Sequence, residues 1–117
     1  MGKLRYDSEL TNNVQGNILK YIRLANDYSQ EELAKKFGIT KSHLSNIEVG
    51  RRNANDEMLN KYCDEFDLTM NELKFFDETA SKKKLHKQQL LLVILKFFCD
   101  KKYPNENLWY IFYKINI

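Results

Sequence analysis

Lys41, Ser42, Ser45 and Asn46 stand at a spacing that places them on one side of a helix, at about 100° per residue, with Val49 ending the row. Their shared chemistry is hydrogen bonding at short range. Lysine offers three N–H donors, the asparagine amide both donors and an acceptor, and each serine hydroxyl can do either. Leu44 and Ile47 point the opposite way, with Thr40 above them. A helix face that merely meets solvent usually carries long Glu and Lys side chains, and none occurs between Ser42 and Ile47. This face is built to lie close against another surface. Around it stand groups suited to anions: Arg51 and Arg52 in a loop with Asn53 and Asn55, His43 on the flank, and Gln30. Gln30 falls in the first turn of the preceding helix, where free N–H groups and the helix dipole favour a phosphate.

The elements that position these residues carry strong punctuation. Ser29 can accept the free amides of the next turn while Glu32 reaches back to the cap amide, and Tyr28 and Leu33 flank that cap as a hydrophobic staple. A helix from about Gln30 to Phe37 follows, ended by Gly38, which can take the left-handed conformation without a Cβ penalty. Thr40 caps the next helix, about Lys41 to Val49, stapled by Ile39 and Leu44 and closed at Gly50. Both helices are too short to persist alone in water, so Leu33, Ala34, Phe37, Ile39, Leu44 and Ile47 must pack them. Ahead lies a helix from about Val14 to Asn26 with Ile18, Leu19, Ile22 and Ala25 on its apolar face. Behind, Asn55 caps a helix over about Asp56 to Phe66, with Met58, Leu59, Tyr62, Cys63 and Phe66 inward. A second capping box, Thr69 to Glu72, opens a helix that should end near Phe76.

Capped pair, turn glycine and apolar register together resemble the lambda-repressor/Cro-type (XRE) helix-turn-helix, over about Gly16 to Phe76. The resemblance implies an all-α, five-helix lambda-repressor-like domain that binds double-stranded DNA with its second motif helix in the major groove. It makes Lys41, Ser42, Ser45 and Asn46 the base-reading residues. Lys can donate to guanine O6 and N7, and Asn can pair with adenine N6 and N7, so selectivity should rest on Lys41 and Asn46. Gln30 matches a backbone-contacting position; Arg51 and Arg52 suit the same phosphate role, and His43 is either a phosphate contact or a half-buried packing residue. Arg23 and Glu48 match positions that form a structural ion pair. Such a protein needs no cofactor and no metal.

Charge and composition agree with a DNA-binding reading. Residues 35–52 hold five basic residues and one acidic, residues 53–79 two basic and eight acidic, and residues 80–117 eight basic and two acidic, within a net charge of +3. A basic motif beside an acidic block orients a protein on a polyanion, with the fourth and fifth helices turned away. Nothing pairs a Ser or Cys nucleophile with a histidine in a catalytic setting, and His43 and His86 sit apart in lysine-rich contexts, so no enzyme is expected. Cys63 and Cys99 lack zinc or disulfide spacing and read as reduced thiols in a cytoplasmic protein. No apolar run reaches the roughly 18 residues of a membrane span. The abundant Lys and Asn suit an AT-rich bacterial, phage or plasmid genome.

The chain divides into a flexible arm at 1–13, the DNA-binding domain at 14–78 and a C-terminal segment at 79–117. After the basic junction Ser81 to Lys84, a helix from Leu85 to about Lys102 is apolar nearly all round between Leu90 and Cys99. Such a helix must be buried on every side, so Leu91, Leu92, Ile94, Leu95 and Phe98 are expected at a homodimer interface. Residues 105–117 fit either a helix, by the stripe Leu108, Ile111, Phe112 and Ile115, or a strand, by alternation and β-branched content. The primary expectation is a homodimeric repressor of a palindromic operator. The alternatives are an antitoxin or restriction-modification controller, and a protein-interaction module or inhibitor that holds a protein partner through its C-terminal helix.

Overall fold

A computed structural model describes the backbone of residues 2–102 and the side chains of residues 14–102. Every regular element among them is a helix: α1 (Gly2–Ala25), α2 (Gln30–Phe37), α3 (Lys41–Glu48), α4 (Asp56–Phe66), α5 (Met70–Lys82) and α6 (Lys87–Lys102). The four caps between them are made by side chains. Ser29 Oγ accepts from the Glu32 amide at 3.1 Å, Thr40 Oγ1 from His43 at 3.0 Å, Asn55 Oδ1 from Met58 at 2.8 Å and Thr69 Oγ1 from Glu72 at 3.1 Å. Both capping boxes close reciprocally, Glu32 accepting from the Ser29 amide and Glu72 from that of Thr69. Gly38 ends α2 at φ 72°, where its amide reaches back to the last carbonyls of the helix.

One core holds the helices together. Ile18, Leu19 and Ile22 of α1 meet Leu33 and Phe37 of α2, Leu44 and Ile47 of α3, and Tyr62 and Phe66 of α4. Phe37 and Tyr62 stack edge to face at 5.0 Å, as Tyr28 does on Phe66 at 5.5 Å. The Tyr62 hydroxyl is buried with no hydrogen-bond partner among the described residues, and desolvation pushes its pKa well above the usual phenol range.

Three features differ from the sequence expectations. First, α1 starts at Gly2 and not at Val14. No proline or glycine stands between Lys3 and Gln15, so nothing interrupts the helix, and the flexible arm expected at 1–13 is helical backbone from Gly2. Second, α5 runs past Phe76 to Lys82, because Ala80 continues the buried stripe of Leu73 and Phe76 one turn further. It stops at the Lys83–Lys84 corner, where Lys84 has φ 49° and the Leu85 amide bonds the Ala80 carbonyl. Third, α6 is a sixth helix of the same core. Leu90, Ile94 and Phe98 are buried, packed with α1 and α5, and Phe76 meets Phe97 edge to face at 5.1 Å. Ile94 and Phe98, expected at a dimer interface, are therefore spent inside the chain, in the same core as α1 and α5. Leu91, Leu92 and Leu95 are half-buried. The alternative readings of residues 105–117 lie outside the described residues.

Gly16 is where α1 passes α3. A Cβ built on it would stand 2.5 Å from the Glu48 carbonyl oxygen and 2.7 Å from that of Ile47. Those are backbone atoms, so the helices themselves would have to separate. Gly16→Ala should therefore cost about 1–3 kcal/mol, as overpacking does, despite the better helix propensity of alanine. Urea denaturation measures it; an alanine variant as stable as the parent would contradict this crossing.

Candidate nucleic-acid interface

The α2–α3 pair presents one coherent face. On α3, Leu44, Ile47 and Glu48 are buried at 0, 2 and 2% exposure, which leaves the opposite side outward. Lys41 and Ser42 are exposed there, Ser45 and Asn46 are half-buried, and Val49 closes the row at 42% exposure. The loop after α3 is fastened to the same helix, since the Arg51 and Arg52 amides both donate to the Asn46 carbonyl, at 2.9 and 3.2 Å. The arginine side chains and Asn53 are exposed beside the outward face. His43 is half-buried and lines a small cavity with Arg52, Asn53, Asn55 and Met58.

Lys41 and Gln30 are not isolated. Lys41 Nζ lies 3.5 Å from Glu31 Oε1, with both side chains largely exposed. Such a pair contributes little and can exchange for another anion. Gln30 is half-buried at the N-terminal turn of α2, and its Nε2 donates to Glu48 Oε1 at 2.9 Å. Neither contact is readable from sequence, because each joins residues of different helices. Lys36 faces away from this surface toward α4: it pairs with Glu65 at 2.9 Å and meets the Tyr28 hydroxyl at 3.2 Å. Hydrogen bonds from Tyr28, then Lys36, hold the Glu65 carboxyl below its ordinary value.

Beneath the face lies a buried ion pair. Arg23 Nε donates to Glu48 Oε2 at 2.7 Å and Nη2 to Oε1 at 3.1 Å, while Nη1 donates to the Tyr28 carbonyl at 2.7 Å. The two residues are 6 and 2% exposed. One guanidinium thus joins the end of α1, the chain entering α2 and the last turn of α3. Asp56, Glu57, Asp64, Asp67, Asp77 and Glu78 are exposed on or between α4 and α5. On the α2–α3 pair itself the exposed carboxylates are Glu31 and Glu32, in the first turn of α2.

Residues 19–73 match the family model described as helix-turn-helix. These residues form a helix-turn-helix domain of the lambda-repressor/Cro (XRE) type, a class of DNA-binding transcription regulators. No curated protein and no solved structure matches the chain. Among the described residues, no helix is long and apolar enough to cross a membrane.

The ion pair makes the domain sensitive to one substitution. Glu48→Ala leaves the Arg23 charge buried and half-partnered, which should cost about 3–5 kcal/mol, a large share of the total stability of a small domain. Urea denaturation with circular dichroism reads the loss; a change under about 1 kcal/mol would mean the pair is solvated in solution.

Proposed function

We propose that the chain is a cytoplasmic, sequence-specific repressor that binds a palindromic operator as a homodimer. The observation that carries the DNA-reading part is the outward side of α3. It is a row of short polar side chains, opposite fully buried Leu44 and Ile47, flanked by exposed arginines and free of exposed carboxylates of its own. Inserted in a major groove, Asn46 would pair with an adenine edge and Lys41 would donate to guanine, after exchanging its exposed contact with Glu31. Ser42 and Ser45 would fit between them with little discrimination. Gln30, Arg51 and Arg52 would hold phosphates and set the register without reading sequence, and His43 would pack behind the loop. Arg23 and Glu48 would hold the helices beneath.

A duplex enriched from a random pool provides the operator for the test. Asn46→Ala should cost about 1–3 kcal/mol on that duplex and relax the preference at one base pair per half-site. Arg51→Ala with Arg52→Ala should weaken operator and scrambled duplex alike and make the log–log salt slope shallower by up to about 2. Equal loss on both duplexes for Asn46→Ala would remove it from base reading. Unchanged salt dependence for the arginine pair would take the loop off the DNA backbone.

For the dimer, Ile94 and Phe98 are no longer candidates, and Leu91, Leu92 and Leu95 remain. A two-fold dimer would set two recognition helices about 34–36 Å apart, one turn of DNA. Leu92→Glu with Leu95→Glu should convert a dimer to a folded monomer in sedimentation, because both side chains are only half-buried. The monomer should lose most of its operator affinity with the loss of the second half-site. A wild-type monomer would turn the reading toward a chain completed by a different protein, as in an antitoxin or controller.

A further inference from the structure

We propose that Glu48 is a positioning residue for DNA binding, acting through Gln30, in addition to its part in the buried ion pair; this rests on the reading of the α2–α3 surface as the DNA face. Glu48 Oε1 receives two donors, Arg23 Nη2 at 3.1 Å and Gln30 Nε2 at 2.9 Å. A carboxylate paired with a guanidinium can only accept. The nitrogen end of the Gln30 amide must therefore face Glu48, since the reversed amide would set two acceptors against each other. The orientation of a glutamine side chain is normally free to invert, and here the chemistry of its partner decides it.

The consequence lies at the surface. One Nε2 hydrogen is used on Glu48, and the second hydrogen and Oε1 keep a defined direction at the first turn of α2. A phosphate oxygen arriving there finds a donor already oriented, next to the free N–H groups of the helix. A glutamine that wandered in solvent would have to give up several rotamers on binding. Glu48 is 2% exposed and anchored by two bonds from Arg23, so the anchor itself does not move. The chain from Tyr28 carbonyl to Arg23 to Glu48 to Gln30 thus transmits the rigidity of the core to a side chain on the DNA face.

The test separates positioning from folding. Arg23→Leu combined with Glu48→Leu replaces the whole pair by apolar side chains and strands no buried charge, a change that is often tolerated. In the folded variant, affinity for both operator and scrambled duplex should fall on the order of threefold to tenfold, the worth of one hydrogen bond. Gln30→Ala alone should give a similar loss, and adding it to the Leu–Leu variant should cause little more. Equal losses from the pair replacement with and without Gln30 would overturn the proposal, as would wild-type affinity in the folded variant. Should the variant not fold, the wild-type chain decides by relaxation NMR: the Gln30 side-chain nitrogen should have a higher order parameter than that of exposed Gln88, and an equally low value would refute the anchoring. A wild-type chain that binds no duplex would overturn the DNA reading along with this proposal. A wild-type chain that binds, with losses independent of Gln30, would overturn this proposal alone.

Discussion

The Arg23 guanidinium is the contact on which the geometry of this domain turns. Eight-residue helices such as α2 and α3 do not hold a direction by themselves. Apolar packing through Leu33, Phe37, Leu44 and Ile47 gives them a place, but packing alone leaves some freedom to slide and rotate. A bidentate guanidinium–carboxylate pair has a fixed plane and two fixed distances. Its third bond, to the Tyr28 carbonyl, reaches the residue just ahead of the Ser29 cap. Three chain segments are therefore aligned by one side chain. Burying two charges costs free energy that the pair only partly returns, so the arrangement is better explained by orientation than by stability. Gly16 enables it, since only a residue without Cβ lets α1 approach the Ile47 and Glu48 carbonyls so closely.

How much of this could be read beforehand follows from what each signal depends on. The starts of α2 to α5 were legible because caps are local: a hydroxyl or amide and the backbone N–H three residues on. The inward faces of α3 and α4 were legible for the same reason, being set by periodicity. The end of α5 and the extension of α1 ahead of Val14 were not, because no proline or glycine stands at Phe76 or between Lys3 and Gln15 to mark a boundary there. The fate of α6 was least legible. Its apolar circumference announces burial without naming the partner, and the partner of Leu90, Ile94 and Phe98 is the core shared with α1 and α5. In the site, the residue types of the recognition face could be placed by register. The contacts of Gln30 with Glu48 and of Lys41 with Glu31 could not, since they join separate helices.

The distribution of charge follows from the same layout. Lys36 is drawn to Glu65 and Tyr28, and Lys101 to the carbonyl and carboxylate of Asp67 and to Glu72, so the acidic α4–α5 region is partly neutralised from within the chain. Among the described residues no ion pair engages Arg51 or Arg52, and both stay exposed beside α3. A polyanion approaching the domain therefore meets available positive charge next to the recognition helix and a carboxylate-rich surface elsewhere.

On the proposed function, one face, made by α3, the first turn of α2 and the Arg51–Asn53 loop, meets DNA. Titration of the labelled chain with a duplex of random sequence at low salt, followed by backbone amide chemical shifts, tests it most directly. Shifts should concentrate at Gln30 and Glu31, Lys41 to Val49 and Arg51 to Asn53, with the exposed positions of α4 and α5 unmoved. Shifts centred on α6 or on the acidic α4–α5 surface, with Lys41 to Val49 silent, would contradict it.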